Sequence, residues 1–549
     1  MPLRFLLFLL ILICHQAGLF AQSVSVPSRQ DTLKGSITKD REWWDIKYYA
    51  LAIEPDFGKK TIQGKNSITF EVIKSNHNRF MQIDLQEPLE IDSVLFKQQK
   101  IAVEKEGNVW FLKVPDLKVK SQATIDIFYS GAPKESTNPP WDGGISWKLD
   151  SLGRPWITLG SQLIGASVWF PCKLHQGDEP DNGASLAISV PDTLVAVGNG
   201  RLKSRIVNSN GTVTYKWHVV NPINNYGLAF YVGKYVRVPE MYKGEKGNLS
   251  TDYWVIDYNR EKVHSYLKNE VDKTLKTFEY WFGPYPFYED SFKMVEAPYP
   301  GMEHQSAIAY GNGFKLGRIN AKYLSTWDLK TDRLVVHEVA HEWFGNSITT
   351  KDITDRWLQE GFAGYAEELF IESQYGKKAA KEFFEARTIC RIKNTEPIIR
   401  RYGIYEDAGG HMYLKGWTIA HMLRAIVDND EQFRKMLRAV NREFYHKTVN
   451  SIEVERFIGK TLGKNLQPFF NQYLREKDIP TFEYSIRDNI LRYRFSNCLS
   501  DFVMPIKTNL TSDKWLNPTK DWKELRITPT SNSSLSIDSD FYVNVKRVE

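Results

Sequence analysis

The segment His337-Glu338-Val339-Ala340-His341 restricts what this chain can become more than any other stretch of it. On a helix the two histidines stand one turn apart on one face, so both imidazoles can reach a single ion while Glu338 points beside it. Catalytic zinc usually takes three protein ligands and keeps its fourth position for water. Glu360, separated from His341 by eighteen residues and within Trp357-Leu358-Gln359-Glu360-Gly361, offers the third. The fold must therefore bring two helices together at this point.

Local sequence supports a helix at each end. Leu334, Val335, Val336, Val339, Ala340, Trp343 and Phe344 are apolar on nearly all sides, as expected of a buried helix, and Gly345-Asn346 is a stop signal. A second helix is expected from Asp355, a good capping residue, through Leu358, Phe362, Tyr365, Ala366, Leu369 and Phe370 to Gly376. Gly361 and Gly364 weaken that helix by roughly 1 kcal/mol each relative to Ala, a cost offset if their bare backbone lets the two helices approach closely enough for Glu360 to reach the ion.

The rest of the chain reads as a multidomain α+β protein. Hydrophobic residues make up 42% of the 549 and charged residues 25%, enough apolar content for two to four cores. The net charge of +6 comes without a basic arm, zinc finger or RNA-binding signature, which argues against a nucleic-acid partner. Residues 1–21 have the form of a secretory signal: Arg4, then the apolar run Phe5 to Ile13, then a cut after Ala21. The run is too short for stable membrane insertion, and Ile13 ahead of Cys14 disfavours lipid attachment, so export to the periplasm or the medium is expected. Cys172, Cys390 and Cys498 are left, an odd and scattered set that allows one internal disulfide at most.

Residues 22–258 run in short alternating segments such as Ser67 to Val72 and Leu186 to Val190, the pattern of a large N-terminal β domain. Helical periodicity takes over at 259 with Val263, Tyr266, Leu267, Val271, Leu275, Phe278 and Trp281, and continues to 478 through helices expected at 416–427, 431–444 and 452–462. Alternation returns over 479–549, a small C-terminal β-sandwich.

Four motifs in one order resemble the aminopeptidase N family of zinc exopeptidases. The zinc set is one. Pro300-Gly301-Met302-Glu303-His304 is similar to the family's Gly-x-Met-Glu-Asn, Tyr413-Leu414-Lys415-Gly416 to its Tyr-x-Lys-Gly, and the segment from Gln162 to Pro171 to its second amine-binding segment. The resemblance implies a thermolysin-like catalytic domain and one zinc ion on His337, His341 and Glu360, with Glu338 as general base and acid. It also implies Tyr413 as donor to the tetrahedral intermediate, and Glu303 with Gln162, Gly301 and Met302 on a substrate with a free N-terminus. His304 departs from the motif asparagine. The 69 residues after Pro480 (549 − 480) are too few for the helical domain of longer members, so a short form with a more open site is expected. The residues alone leave two other functions open: a zinc endopeptidase, and a peptide-binding protein with a vestigial site. Oligomeric state is not legible.

Overall fold

The segments Tyr235–Gly244, Gly247–Ile256, Phe292–Glu296, Ile308–Tyr310 and Gly301–Met302 form, in that spatial order, a five-stranded sheet that organises the molecule. In this computed structural model the described residues are 26–75, 79–161, 163–317, 325–387, 391–406, 409–510, 515–527 and 535–549. The expected signal segment, Gln162 and Cys390 lie outside them. Strand alternation gives the sheet two buried faces. Tyr253, Val255, Phe292, Met294, Ile308 and Tyr310 join the core of the helices, whereas Trp254, Ile256, Val295, Met302 and Ala309 join the core of the preceding β region.

Sequence alternation had placed residues up to 258 with the N-terminal β region. The structure instead pairs Gly247–Ile256 in parallel with Phe292–Glu296, so the hairpin 235–256 belongs to the sheet that carries the motif strand Gly301–Met302. Alternation reports that a strand is half-buried but not which neighbour it pairs with.

The N-terminal β region holds an eight-stranded sheet built around Trp44–Asp56 and Thr61–Val72, with four-stranded and three-stranded sheets beside it. Ile68, Phe70 and Val72 alternate inward as expected of one packed face.

Among the described residues the α-helices of seven residues or more are α1 (Arg29–Gly35), α2 (Lys268–Phe282), α3 (Arg333–Ala340), α4 (Trp357–Tyr375), α5 (Lys377–Arg387), α6 (His411–Val427), α7 (Asp430–Glu443) and α8 (Ser451–Leu462). Asp332 caps α3 by accepting from the Val335 amide, and Gly376, at φ 88°, ends α4. Helix α6 starts five residues before the expected Gly416, which puts Tyr413 in its first turn.

The glycines of α4 do permit a close crossing, but with a different helix from the one expected. A Cβ on Gly361 would lie 2.7 Å from the Gly416 carbonyl carbon, and one on Gly364 would lie 3.3 Å from the Trp417 ring. They seat α6 against α4, bringing the Tyr413 helix, rather than α3, backbone to backbone with the Glu360 helix.

After Pro480 the strands Thr481–Arg487, Ile490–Ser496, Lys523–Arg526 and Asn544–Arg547 form one sheet, with a two-stranded pair nearby. Phe482, Leu491, Phe495 and Phe502 pack into the core of the catalytic helices. Cys172 and Cys498 are free. Among the described residues no helix is long and apolar enough to cross a membrane.

Candidate metal centre and cleft

Helix α3 presents His337 and His341 to α4, and the three expected donors converge. The two Nε2 atoms are 3.3 Å apart. Glu360 Oε2 lies 3.6 Å from His337 Nε2 and 3.5 Å from His341 Nε2. Zinc with bonds of about 2.0–2.1 Å in tetrahedral geometry separates its ligands by ~3.3–3.4 Å, so the triangle fits the ion as it stands. A second group, Glu303, Glu338 and His341, brings its ligand atoms within 4.8 Å of one another. It shares His341 with the first and places two acidic side chains beside the ion site.

Each donor is held from behind. His337 Nδ1 is 3.0 Å from Glu367 Oε1, and Glu367 is clamped by Arg333 through Nε at 2.6 Å and Nη2 at 2.9 Å. His341 Nδ1 meets the Phe344 carbonyl at 3.0 Å, and Arg356 Nη2 donates to Glu360 Oε1 at 3.2 Å. With acceptors on both Nδ1 atoms, the protons sit there and both Nε2 lone pairs face the ion site, the usual support for a metal-bound imidazole. Burial works against the Glu360 charge, but His341, His337 and Arg356 outweigh it and hold the carboxyl at about 2.

Glu338 occupies space that Gly301 leaves open: a Cβ there would stand 2.7 Å from Glu338 Oε1. The loop after Gly301–Met302 is tied to the end of the metal helix, because Asn346 Nδ2 donates to the Glu303 carbonyl at 2.9 Å and the Ser306 amide to Glu342 Oε1 at 2.9 Å. Burial, then the charges of Glu360 and Glu338, raise the Glu303 carboxyl to about 8. A cation arriving there would meet a carboxyl ready to ionise. Burial, followed by Glu360, likewise raises the Tyr413 phenol well above its usual value, keeping it a donor.

Gly301, Met302, Glu303, His337, Glu338, His341, Glu360 and Tyr413 all line one cleft of about 380 Å³. His304 is engaged elsewhere. Tyr231 donates its hydroxyl proton to the Ala307 carbonyl at 2.6 Å, so the 2.6 Å contact between that oxygen and His304 Nδ1 carries the histidine's proton.

Sequence reading missed Glu367, Arg333, Arg356 and Tyr226. Glu367 had a usable signal, since it follows Glu360 by seven residues and so returns to the same helix face. Asp355, expected to cap the second helix, instead accepts from Tyr402 Oη at 2.8 Å and the Ser451 amide at 3.0 Å. Tyr226 comes from the distant β region, and its hydroxyl donates to the Gly345 carbonyl at 3.3 Å.

Two imidazoles from one helix, a carboxylate from the next and the Glu338 side chain beside them make the arrangement of a gluzincin metallopeptidase site. Residues 266–473 match the Peptidase family M1 domain. It is 24% identical over 336 residues to leucine aminopeptidase 2 of Vanderwaltozyma polyspora, covering 58% of this chain and 47% of that one. It is 23% identical over 373 residues to aminopeptidase B of Rattus norvegicus, covering 62% and 51%. The chain thus spans about half the length of the curated relatives it matches. Among solved structures, the M1 zinc metallopeptidase from Deinococcus radiodurans superposes with a TM-score of 0.66 at 20% identity, covering 80% of this chain and 96% of that one. A mutant of that enzyme bound to a Tyr-Ser-Ala substrate aligns equally well, at 21% identity. These last likenesses are of fold.

Proposed function

We propose that the protein is a zinc aminopeptidase that removes N-terminal residues from peptides. The observation that carries the reading is the triangle of His337, His341 and Glu360 with edges of 3.3–3.6 Å, set in a cleft that also holds the Glu303 carboxyl. Zinc bound there would acidify a water and polarise the scissile carbonyl.

The other tasks fall to the chain's own groups. Glu303 takes the substrate's terminal ammonium, whose positive charge favours ionisation of that buried carboxyl. An acetylated or internal peptide offers no such charge and leaves the carboxyl desolvated without compensation. Glu338, beside His341, accepts the proton of the attacking water and returns it to the departing amine. Tyr413, held neutral, donates to the carbonyl oxygen as negative charge builds on it, an interaction of ~3 kcal/mol by comparison with other oxyanion donors. Gly301 and Met302, on the outer strand of their sheet, offer backbone groups to an extended substrate, and the adjoining role for Gln162 belongs to the same proposal. The apolar stretch before Ala21 supports export of the chain.

The test compares amino-acid amides, free-amine peptides and N-acetyl peptides on metal-loaded, chelated and Glu338→Gln protein. The reading predicts hydrolysis of the first two alone, lost on chelation and in the variant. Equal cleavage of the acetylated peptide would make the enzyme an endopeptidase.

A further inference from the structure

The cleft has a direction. Residues 333, 337 and 341 stack on one face of α3 at successive turns, so Arg333 lies about 12 Å along the helix from His341. Glu303 packs at the His341 end, where its carboxyl approaches His341 and Glu338. The opposite end is walled by Arg333 and Arg387 with Gly364, Leu414 and Trp417.

Both guanidinium groups are buried, and each is matched by a carboxylate. Arg333 spends Nε and Nη2 on Glu367, and Arg387 spends Nη2, at 2.8 Å, and Nε, at 3.2 Å, on Asp328. The four charges sum to zero. Arg333 Nη1, however, is buried with no hydrogen-bond partner among the described residues. Holding Glu367 behind His337 needs only the two nitrogens that do so. An unsatisfied charged donor in a folded interior is expensive, and its place in the wall of a substrate cleft points to an anion that arrives with the substrate.

We propose that Arg333, backed by Arg387, is a carboxylate-reading subsite on the leaving-group side of the scissile bond, selecting short peptides by their free C-terminal carboxylate. The proposal rests on the aminopeptidase reading for its polarity: with the amine at Glu303 and the reacting carbonyl at the ion, the remainder of the peptide runs toward Arg333. The guanidinium is linked to the His337 ring through two hydrogen bonds of 2.9 and 3.0 Å by way of Glu367. At ~3.5 Å per extended residue, a carboxylate one or two residues past the bond is in reach. Dipeptides and tripeptides also suit a cleft of about 380 Å³. A longer peptide would carry its carboxylate past the arginines.

The experiment uses zinc-loaded Glu338→Gln protein, in which binding is measured calorimetrically without turnover. An aminoacyl-alanine dipeptide is compared with its C-terminal amide, then the tripeptide and pentapeptide pairs. The acid should bind about 10- to 100-fold tighter than the amide for the two short peptides, the range of a charge-assisted hydrogen bond, and no tighter for the pentapeptide. Adding Arg333→Leu should bring the short pairs level, and Arg333→Lys should restore part of the difference as charge without the planar fork. Metal content, assayed in each variant, separates loss of the subsite from loss of His337 support. Equal binding of acid and amide with Arg333 intact overturns the proposal, and that comparison needs no arginine variant to fold. An equal gain for an aminoacyl-aspartate amide overturns the terminal-carboxylate assignment. Should N-acetyl peptides bind as well as free-amine ones, the aminopeptidase reading fails instead, and the acid-to-amide ratio on the acetylated series still decides the role of Arg333.

Discussion

Substituting Gly361 by alanine probes the crossing on which the centre depends. The new Cβ would stand 2.7 Å from the Gly416 carbonyl carbon and 2.8 Å from its Cα, against an optimal carbon–carbon separation of ~3.5–4.0 Å. Both obstacles are backbone, so no rotamer relieves the clash and α4 and α6 must part by about 1 Å. Overpacking of this kind costs ~1–3 kcal/mol, and alanine's helix propensity returns ~1 kcal/mol, leaving a net loss of up to about 2 kcal/mol. Glu360 precedes the crossing on one helix and Tyr413 lies three residues before Gly416 on the other, so the same displacement draws the phenol away from the reacting oxygen. Misplacement by ~1 Å costs up to about 100-fold in turnover. The control is Gly364→Ala, whose Cβ would meet the Trp417 ring at 3.3 Å and its Cβ at 3.4 Å. A side chain can yield there, and propensity roughly offsets the strain. Urea unfolding followed by tryptophan fluorescence, with kcat on an aminoacyl amide, should show loss in Gly361→Ala and near-wild-type behaviour in Gly364→Ala. Equal results for the two variants, in either direction, would refute the crossing argument.

Other expectations follow from the same geometry. Tyr413→Phe should lower kcat by about 100-fold with little change in KM, read by steady-state kinetics. Glu367→Gln should weaken zinc binding by roughly 10- to 100-fold, measured by competition with a chelator. Burial raises the Glu296 carboxyl to about 7, against the hydrogen bonds it accepts from the Ile256 amide and Asn259. The folded chain therefore keeps a proton there that the unfolded chain releases near its ordinary value, and this contribution to stability falls as pH rises from about 4.5 to 7. Glu296→Gln should accordingly raise the free energy of unfolding at pH 8 by roughly 1–3 kcal/mol, read from urea unfolding, and change it little at pH 4.

The candidate metal donors were legible because their spacing is a local property of two helices: an i, i+4 pair on one and a carboxylate near the start of the next. Gly301, Met302, Glu303 and Tyr413 were legible as motifs, and the structure brings all four to the same cleft. Arg333 and Arg356 were not, because a charged residue beside an apolar helix reads alike whether it braces a ligand or faces water, and Glu367 was overlooked although its spacing from Glu360 put it on the same face. Tyr226 was out of reach for another reason, since its contact with Gly345 joins residues 119 positions apart. The partner of Gly361 was misread because glycine announces a close approach without naming what approaches, and α6 had been expected to start only at Gly416.

The five-stranded sheet also sets where the molecule can be divided. The stretch that matches the family domain begins at residue 266, yet Phe292–Glu296 pairs with Gly247–Ile256. A fragment trimmed to the recognisable domain would leave Phe292–Glu296 as a raw edge and strip the cover from Val295, Met302 and Ala309, inviting aggregation. The unit by which relatives are recognised is thus smaller than the unit that can stand alone. Any dissection that hopes to keep the Gly301–Met302 strand in place must cut before Tyr235 and still find a substitute for the lost β layer.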